Sequence, residues 1–433
     1  MLLAAVAVLA LLGALLIGRS YHRGTELLSG PFASLPEPAA AAVGYTSSPS
    51  LEQSVQIVKA VTGMGATPKV ASAALASLLP AAAAGSANWA PQGQPWAGPR
   101  TALAWMPGPT PSPVAAVDVS DGAAAKAWAG AVLDPAGVAW DVVDGGKVLR
   151  ISPSGPAALS YPTIGQVRPK VLDRVPADAV AVGWADLGRL SAPEFSAAAQ
   201  TARLFPAGLL GSGSSGQVGL GVKLDGDLLV AEGLADHVVV QGAALDGPPA
   251  DLASALGRVP ASAAWAAAVS DPARVAQNYA VSLQAGSASE TLRTRLADSG
   301  ADVGLVARSD TGQTGIAVAG GDPGPAVAAA AAALSSTAGG AWAQPVSGPG
   351  VAATAASQQW AEALALPSAG RTLGSQGMVA ELAPGAGNAS AAAIVNIPAS
   401  ATGAESAFTA AGVVAGPGKD GVVPLSVRAT FAR

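Results

Sequence analysis

Residues 2–18 (LLAAVAVLALLGALLIG) carry no charged side chain and almost no polar one. As a helix such a run extends about 25 Å, slightly less than the roughly 30 Å hydrocarbon core of a bilayer. Arg19, Tyr21, His22 and Arg23 come after it, side chains suited to a membrane interface, and no small-x-small cleavage site comes next. The pattern predicts a single uncleaved transmembrane helix, with a cleaved signal peptide and a buried core helix as competing readings. Basic residues after the run argue for a cytoplasmic remainder, but a start-proximal anchor ordinarily translocates the polypeptide on its C-terminal side. The expected location is therefore the cell membrane, with the bulk of the chain extracytoplasmic.

Beyond the anchor and flank (1–23), residues 24–47 shift to Pro, Ala, Ser and Gly and read as a stalk. Apolar positions at helical spacing predict helices over 50–63 and 69–79. A Gly/Pro-rich connection over 83–100 carries Trp89 and Trp96. Strands come next at 101–106 and 114–119, then a helix over 121–133, then a hairpin of 137–143 and 147–152 about Asp144-Gly145-Gly146. Similar grammar returns as a strand at 263–269, helices from Asp271 and over 287–298, and a hairpin of 301–308 and 314–319. Ser287 and Glu290 have capping-box spacing, as do Ser191 and Glu194.

Arg174-Val175-Pro176-Ala177 and Arg258-Val259-Pro260-Ala261 each precede a strand and suggest internal duplication. A hairpin about Asp225-Gly226 lies between them. Helices over 325–336, 358–366 and 404–411 and strands at 391–397 and 422–431 complete the pattern. Hairpins interrupted by single helices predict an α+β fold with duplicated modules of largely antiparallel sheet. The expected division is a first domain at 48–165 and a second at 166–433.

The phrase Val175-Pro176-Ala177-Asp178-Ala179-Val180-Ala181 resembles the repeated opening of an uncharacterised family of Ala-rich, membrane-anchored extracytoplasmic proteins from high-GC Gram-positive bacteria. Thr372-Leu373-Gly374-Ser375, Ala383-Pro384, the apolar strand at 391–397 and the closing strand at 425–431 resemble that family's C-terminal series. The resemblance spans residues 170–433, and residues 48–160 depart from it. It implies a short anchor carrying an outside domain, and it brings no catalytic residues.

Composition removes several function classes. The 433 residues hold no cysteine and only two histidines, so neither a disulfide framework, a thiolate metal site nor a histidine cluster can be assembled. Charged residues make up 12 % with a net charge of −5, which leaves no footprint for nucleic acid. Gly211-Ser212-Gly213-Ser214-Ser215-Gly216 matches GxGxxG but stands between a helix and a strand, the reverse of a dinucleotide site. Neither a GxSxG elbow nor a Ser-x-x-Lys pair occurs. His237 reads as a surface histidine, Asp225-Gly226-Asp227 as a turn, and Asp134, Asp141, Asp144 and Glu232 as scattered turn and strand-end carboxylates. Catalytic residues, cofactors and metal ligands are expected to be none.

Nine tryptophans against five phenylalanines are a mild surplus. Trp105, Trp128, Trp140, Trp184, Trp265 and Trp360 fall in predicted elements and read as core bulk. Trp89, Trp96 and Trp342 fall in Gly/Pro-rich loops, where an exposed indole can stack on a sugar or a partner; they are the candidate binding residues. The expectation is a non-enzymatic, membrane-anchored binding or scaffold protein of the cell envelope with a protein, lipid or glycan partner. The alternatives are a carrier for a lipid or other apolar ligand and a hydrolase whose carboxylates converge in the fold.

Overall fold

The end of the expected stalk is the middle of a sheet. A computed structural model describes residues 24–46, 94–107, 112–193, 214–225, 228–240, 243–279, 283, 285, 288–336, 342–368, 370–396 and 408–431. The chain divides into two units, residues 1–236 with 431–433 and residues 237–430. The first is built about β1 (Ala41–Thr46), which pairs antiparallel with β2 (Ala97–Met106) on one side and β6 (Ala181–Asp186) on the other. Beyond β2 the sheet continues through β3 (Ser112–Val119) and β5 (Val148–Ser152) to β4 (Ala139–Val143), and beyond β6 to β7 (Ser215–Asp225).

The stalk expectation is thus overturned. Pro31 opens a short helix, Pro31–Ser34, at the position where a missing N–H costs nothing. Residues 39–43 are at most 4 % exposed. Small side chains allow close packing on both faces of a central strand, and Ala-Pro composition alone does not distinguish that from a linker. The expected boundary at 165/166 falls as well, because β6 and β7 complete the first sheet.

β8 (Leu228–Val240) leads into the second unit, where its end pairs with β9 (Ala243–Ala244). Here β10 (Ala263–Val269) holds the central place, between β11 (Val303–Ser309) and β15 (Ala391–Asn396). Beyond β11 come β12 (Thr314–Ala319), β14 (Val351–Ala355) and β13 (Val346–Gly348), and beyond β15 comes β16 (Phe408–Ala415). β17 (Val422–Phe431) ends the described chain. One face of this sheet, with Val269, Val306, Ile316 and Val318, meets Val275, Leu292, Leu296, Val327 and Leu334 from helices Ala273–Tyr279, Ser289–Ala297 and Pro323–Ser335. Each such side chain contributes about 1.5–3 kcal/mol on burial. The other face receives helix Gln358–Ala365, whose Leu364 and Trp360 lie over Gly315.

Strand for strand, the two sheets have the same order and the same chain path. In each, the central strand is followed outward by two strands, a helix (Gly122–Val132 or Pro323–Ser335) and a hairpin, and the chain then returns to the other side of the centre. All of these pairings are antiparallel, so the fold is α+β with a duplicated sheet.

The duplication runs in a different register from the repeated phrase. Val175-Pro176 precedes β6, but Val259-Pro260 precedes β10, whose counterpart is β1, preceded by Leu35-Pro36. These three prolines close the same turn: Ala39, Ala179 and Ala263 N–H groups donate to the Pro36, Pro176 and Pro260 carbonyls. Side chains also repeat. Arg189 Nη1 donates to the Glu37 and Ala39 carbonyls, while Asn396 Nδ2 donates to their counterparts on Ala261 and Ala263.

Other elements depart from expectation. The run expected as a helix over 404–411 enters β16, with Ala410 and Ala411 buried against β15, so sheet pairing overrides helix propensity. Helix Ser289–Ala297 has no side-chain N-cap, and Glu290 instead binds Arg293. The expected anchor at 2–18, the helices over 50–63 and 69–79, Ser287 and Glu194 lie outside the described residues. Among the described residues no helix is long and apolar enough to cross a membrane.

A Cβ on Gly219 of β7 would run into the Val171 carbonyl, and one on Gly412 of β16 into the Leu382 carbonyl, where the segments before the second proline of each unit, Pro176 and Pro384, lie against the sheets. Gly219→Ala and Gly412→Ala are each expected to cost about 1–3 kcal/mol, read as a lowered urea midpoint. Gly387→Ala, with open space around it, is the control and should leave the midpoint unchanged.

Candidate functional site

Thr163-Ile164-Gly165-Gln166 lies across the chain entering β1. Ile164 N–H donates to the Leu35 carbonyl (2.8 Å) and Glu37 N–H to the Pro162 carbonyl (2.8 Å). Thr163 and Gln166 form a reciprocal capping box. Gly165 is required by contact, since a Cβ there would sit 2.8 Å from that of Ala33. The second unit repeats this crossing at Thr372-Leu373-Gly374-Ser375. Leu373 N–H donates to the Val259 carbonyl, Thr372 and Ser375 cap each other, and Gly374 lies against Gly257.

The copies differ in what surrounds the crossing. In the second, Arg258 Nη1 reaches from helix Leu252–Arg258 to the Pro349 carbonyl in the β13–β14 turn (3.0 Å). The residue at the place of Arg258 in the first copy is Ser34, which spans nothing. Helix Gln358–Ala365 also has as its counterpart only a short 3-10 turn, Pro156–Ser160. What remains is an open groove of about 750 Å³ between Leu28–Ser34, the β4–β5 turn and residues 163–175. An adjoining hollow of about 440 Å³ is lined by Leu159, Tyr161 and Gln166.

The adjoining hollow is floored by Arg150, which is 5 % exposed. Its Nε donates to Asp141 Oδ1 (2.9 Å), its Nη1 to the Ser34 carbonyl and its Nη2 to the Leu159 carbonyl. On the rim, Asp144 (φ 53°) and Arg168 (φ 46°) hold left-handed conformations that side chains other than glycine rarely adopt. Gly377 stands in the second unit where Arg168 stands in the first, with φ 74°, so the arginine occupies a place suited to glycine. Arg168 and Asp173 face each other loosely at 3.9 Å across solvent. The near wall is fastened by Arg100, which binds Asp118 through Nε (2.6 Å) and the Glu26 carbonyl and Ser29 Oγ through Nη1.

The tryptophan expectation is corrected at two positions. Trp96 is 3 % exposed, with its ring 5.1 Å from that of Trp128, and Trp342 is 8 % exposed in the second unit's core. Gly/Pro-rich surroundings suggest exposure, but both indoles are packing residues; Trp89 lies outside the described residues. Trp105, Trp184 and Trp360 are buried, and Trp128, Trp140 and Trp265 half-buried.

The scattered carboxylates have separate partners. Asp134 accepts from Trp140 Nε1 (2.7 Å), Asp141 binds Arg150, and Glu232 is 3.1 Å from Lys223. His237 is exposed in β8. Gly226, Asp227 and residues 211–213 lie outside the described residues. Among the described residues no three Asp, Glu or His side chains could together hold a metal ion.

Comparison with known proteins finds no match, whether to a family model, a curated protein or a solved structure. The internal copy is therefore the informative comparison for the groove. Sequence reasoning passed over Tyr161, Gln166 and Arg168, although the Thr-Ile-Gly and Thr-Leu-Gly phrases were a usable signal.

Arg150→Met is expected to destabilise the chain by about 2–3 kcal/mol in urea unfolding, because the buried Ser34 carbonyl, the half-buried Leu159 carbonyl and Asp141 lose their donor. Asp251 caps helix Leu252–Arg258, and the Ser254 hydroxyl it accepts from holds its carboxyl below the usual range, against burial. Its folded value is depressed, so its contribution is present above the ordinary carboxylate range and lost as pH falls through the folded value. Asp251→Ala should cost about 1 kcal/mol at pH 7, with the gap to the wild type closing in acid unfolding series.

Proposed function

We propose that this protein is a membrane-anchored, extracytoplasmic binding or scaffold component of the cell envelope, with the groove of its first unit as the binding site. The observation that carries the reading is the contrast between the copies: Arg258 and helix Gln358–Ala365 cover in one what Ser34 and a 3-10 turn leave open in the other. The uncharged run at 2–18 supplies the anchor, and the resemblance of residues 170–433 to an anchored family agrees with it. The groove is open and edged by Gln166, Asp144 and Arg168 as well as apolar groups, which favours a partner's surface or chain over an enclosed apolar cargo.

Pull-down of the full chain from gently solubilised native membranes tests this. A stoichiometric envelope component should be recovered with the wild type and with Arg295→Trp, an exposed change on the second unit. It should be lost with Gln166→Trp, which fills the groove from an exposed position. The same recovery from all three, or no specific recovery from the wild type, overturns the groove as a binding site.

A further inference from the structure

Three large hydrophobic side chains stand exposed among the described residues: Tyr161 (46 %), Val167 (52 %) and Leu366 (53 %). Two of them lie within residues 161–174 on the groove rim. Three exposed cations, Arg168, Lys170 and Arg174, stand in the same stretch with one anion, Asp173. This gives it a net charge of +2 in a chain whose total is −5.

Counted from the shared threonine, Gly370, Gln376, Gly377 and Val379 stand in the second unit in place of Tyr161, Val167, Arg168 and Lys170. The duplicated fold therefore does not require this combination of an aromatic, an aliphatic and cations. Arg168 in particular keeps a left-handed backbone that its glycine counterpart adopts without strain.

We infer that residues 161–174 dock on an anionic bilayer surface, with Tyr161 and Val167 in the headgroup layer and Arg168, Lys170 and Arg174 against lipid phosphates. The chain's own path supports that occupant, and here the inference rests on the anchored reading above. Leu28, which lines the groove, comes ten residues after Gly18 at the end of the apolar run. That is at most roughly 35 Å of extended chain. Arg100 then clamps the Glu26 carbonyl and Ser29 to Asp118 in β3, so the first sheet has little freedom to drift from the point where the chain leaves the membrane.

The absence of cysteine allows single-site labelling of the full chain. Val167→Cys and, as control, Arg295→Cys would carry an environment-sensitive nitrobenzoxadiazole dye in vesicles of phosphatidylcholine alone or mixed with phosphatidylglycerol. With the mixed vesicles, the dye at position 167 should shift to the blue and be quenched by nitroxide lipids, while the dye at 295 should not. Added salt should reverse the effect. Changing Arg168, Lys170 and Arg174 to Gln should lower the docked-to-free ratio roughly fivefold for each cation removed.

A dye at 167 as water-exposed as the one at 295 overturns the docking, as does a response equal in neutral and anionic vesicles. Carbonate extraction of the same vesicles reads the anchor separately. A chain that washes off while its 167 dye still responds to anionic vesicles defeats the anchor and leaves the docking standing.

Discussion

The crossing of a Thr-apolar-Gly turn over an apolar-Pro step is the constraint on which both units depend. It brings together two segments about 110 to 130 residues apart in sequence, 35–37 with 162–164 and 259–261 with 371–373, through paired backbone hydrogen bonds. Backbone groups at such a crossing must find partners when buried, and these pairs supply them. Glycine is needed at the point of closest approach because the helix before the proline lies directly against it. With the crossing in place, the strand after the proline is aimed into the centre of its sheet. The remaining strands then add outward from it on either side.

Because the crossing is shared, the differences around it are informative. In the second unit Arg258, Trp360 and Leu364 fill and tie down the space beside it. In the first, the same topology carries shorter elements, a buried arginine in the adjoining hollow and two left-handed residues on the rim. Natural sequences depart from local consistency mainly where function demands it. Arg168 at a glycine place and Val167 and Tyr161 in solvent depart from that consistency, and all three fall within eight residues, which is why the proposed docking is placed there.

Much of the fold was legible from periodicity. The strands at 263–269, 314–319 and 422–431 and the helices beginning at 122 and 358 can be read from alternation, capping residues and Asp/Gly turns. The α+β class comes from the same hairpins. The illegible part traces to alanine and proline. Ala39–Val43 is nearly featureless in sequence, yet it is central, because small residues fit between two neighbouring strands and a helix. The run through Ala410 and Ala411 has helix propensity but is captured by β15. The repeated Arg-Val-Pro-Ala phrase was a real signal read in the wrong register, since each unit has two proline entries and the phrase marks the second of one and the first of the other.

The groove was less accessible to sequence reasoning, for a physical reason. A cavity arises from absent bulk, and a shortened helix or a serine in place of an arginine leaves no motif behind. It becomes visible only when the chain is aligned on its own second copy at Thr163 and Thr372, and that alignment needs the strand pairings. Tryptophan misled in the opposite direction, because Trp96 and Trp342 supply bulk that the surrounding Ala, Gly and Pro cannot. In a chain so poor in aromatic residues, a large exposed ring is more informative than a large buried one. Tyr161 is such a ring, 46 % exposed beside Pro162 in the same stretch as Arg168, whereas Trp96 and Trp342 are buried.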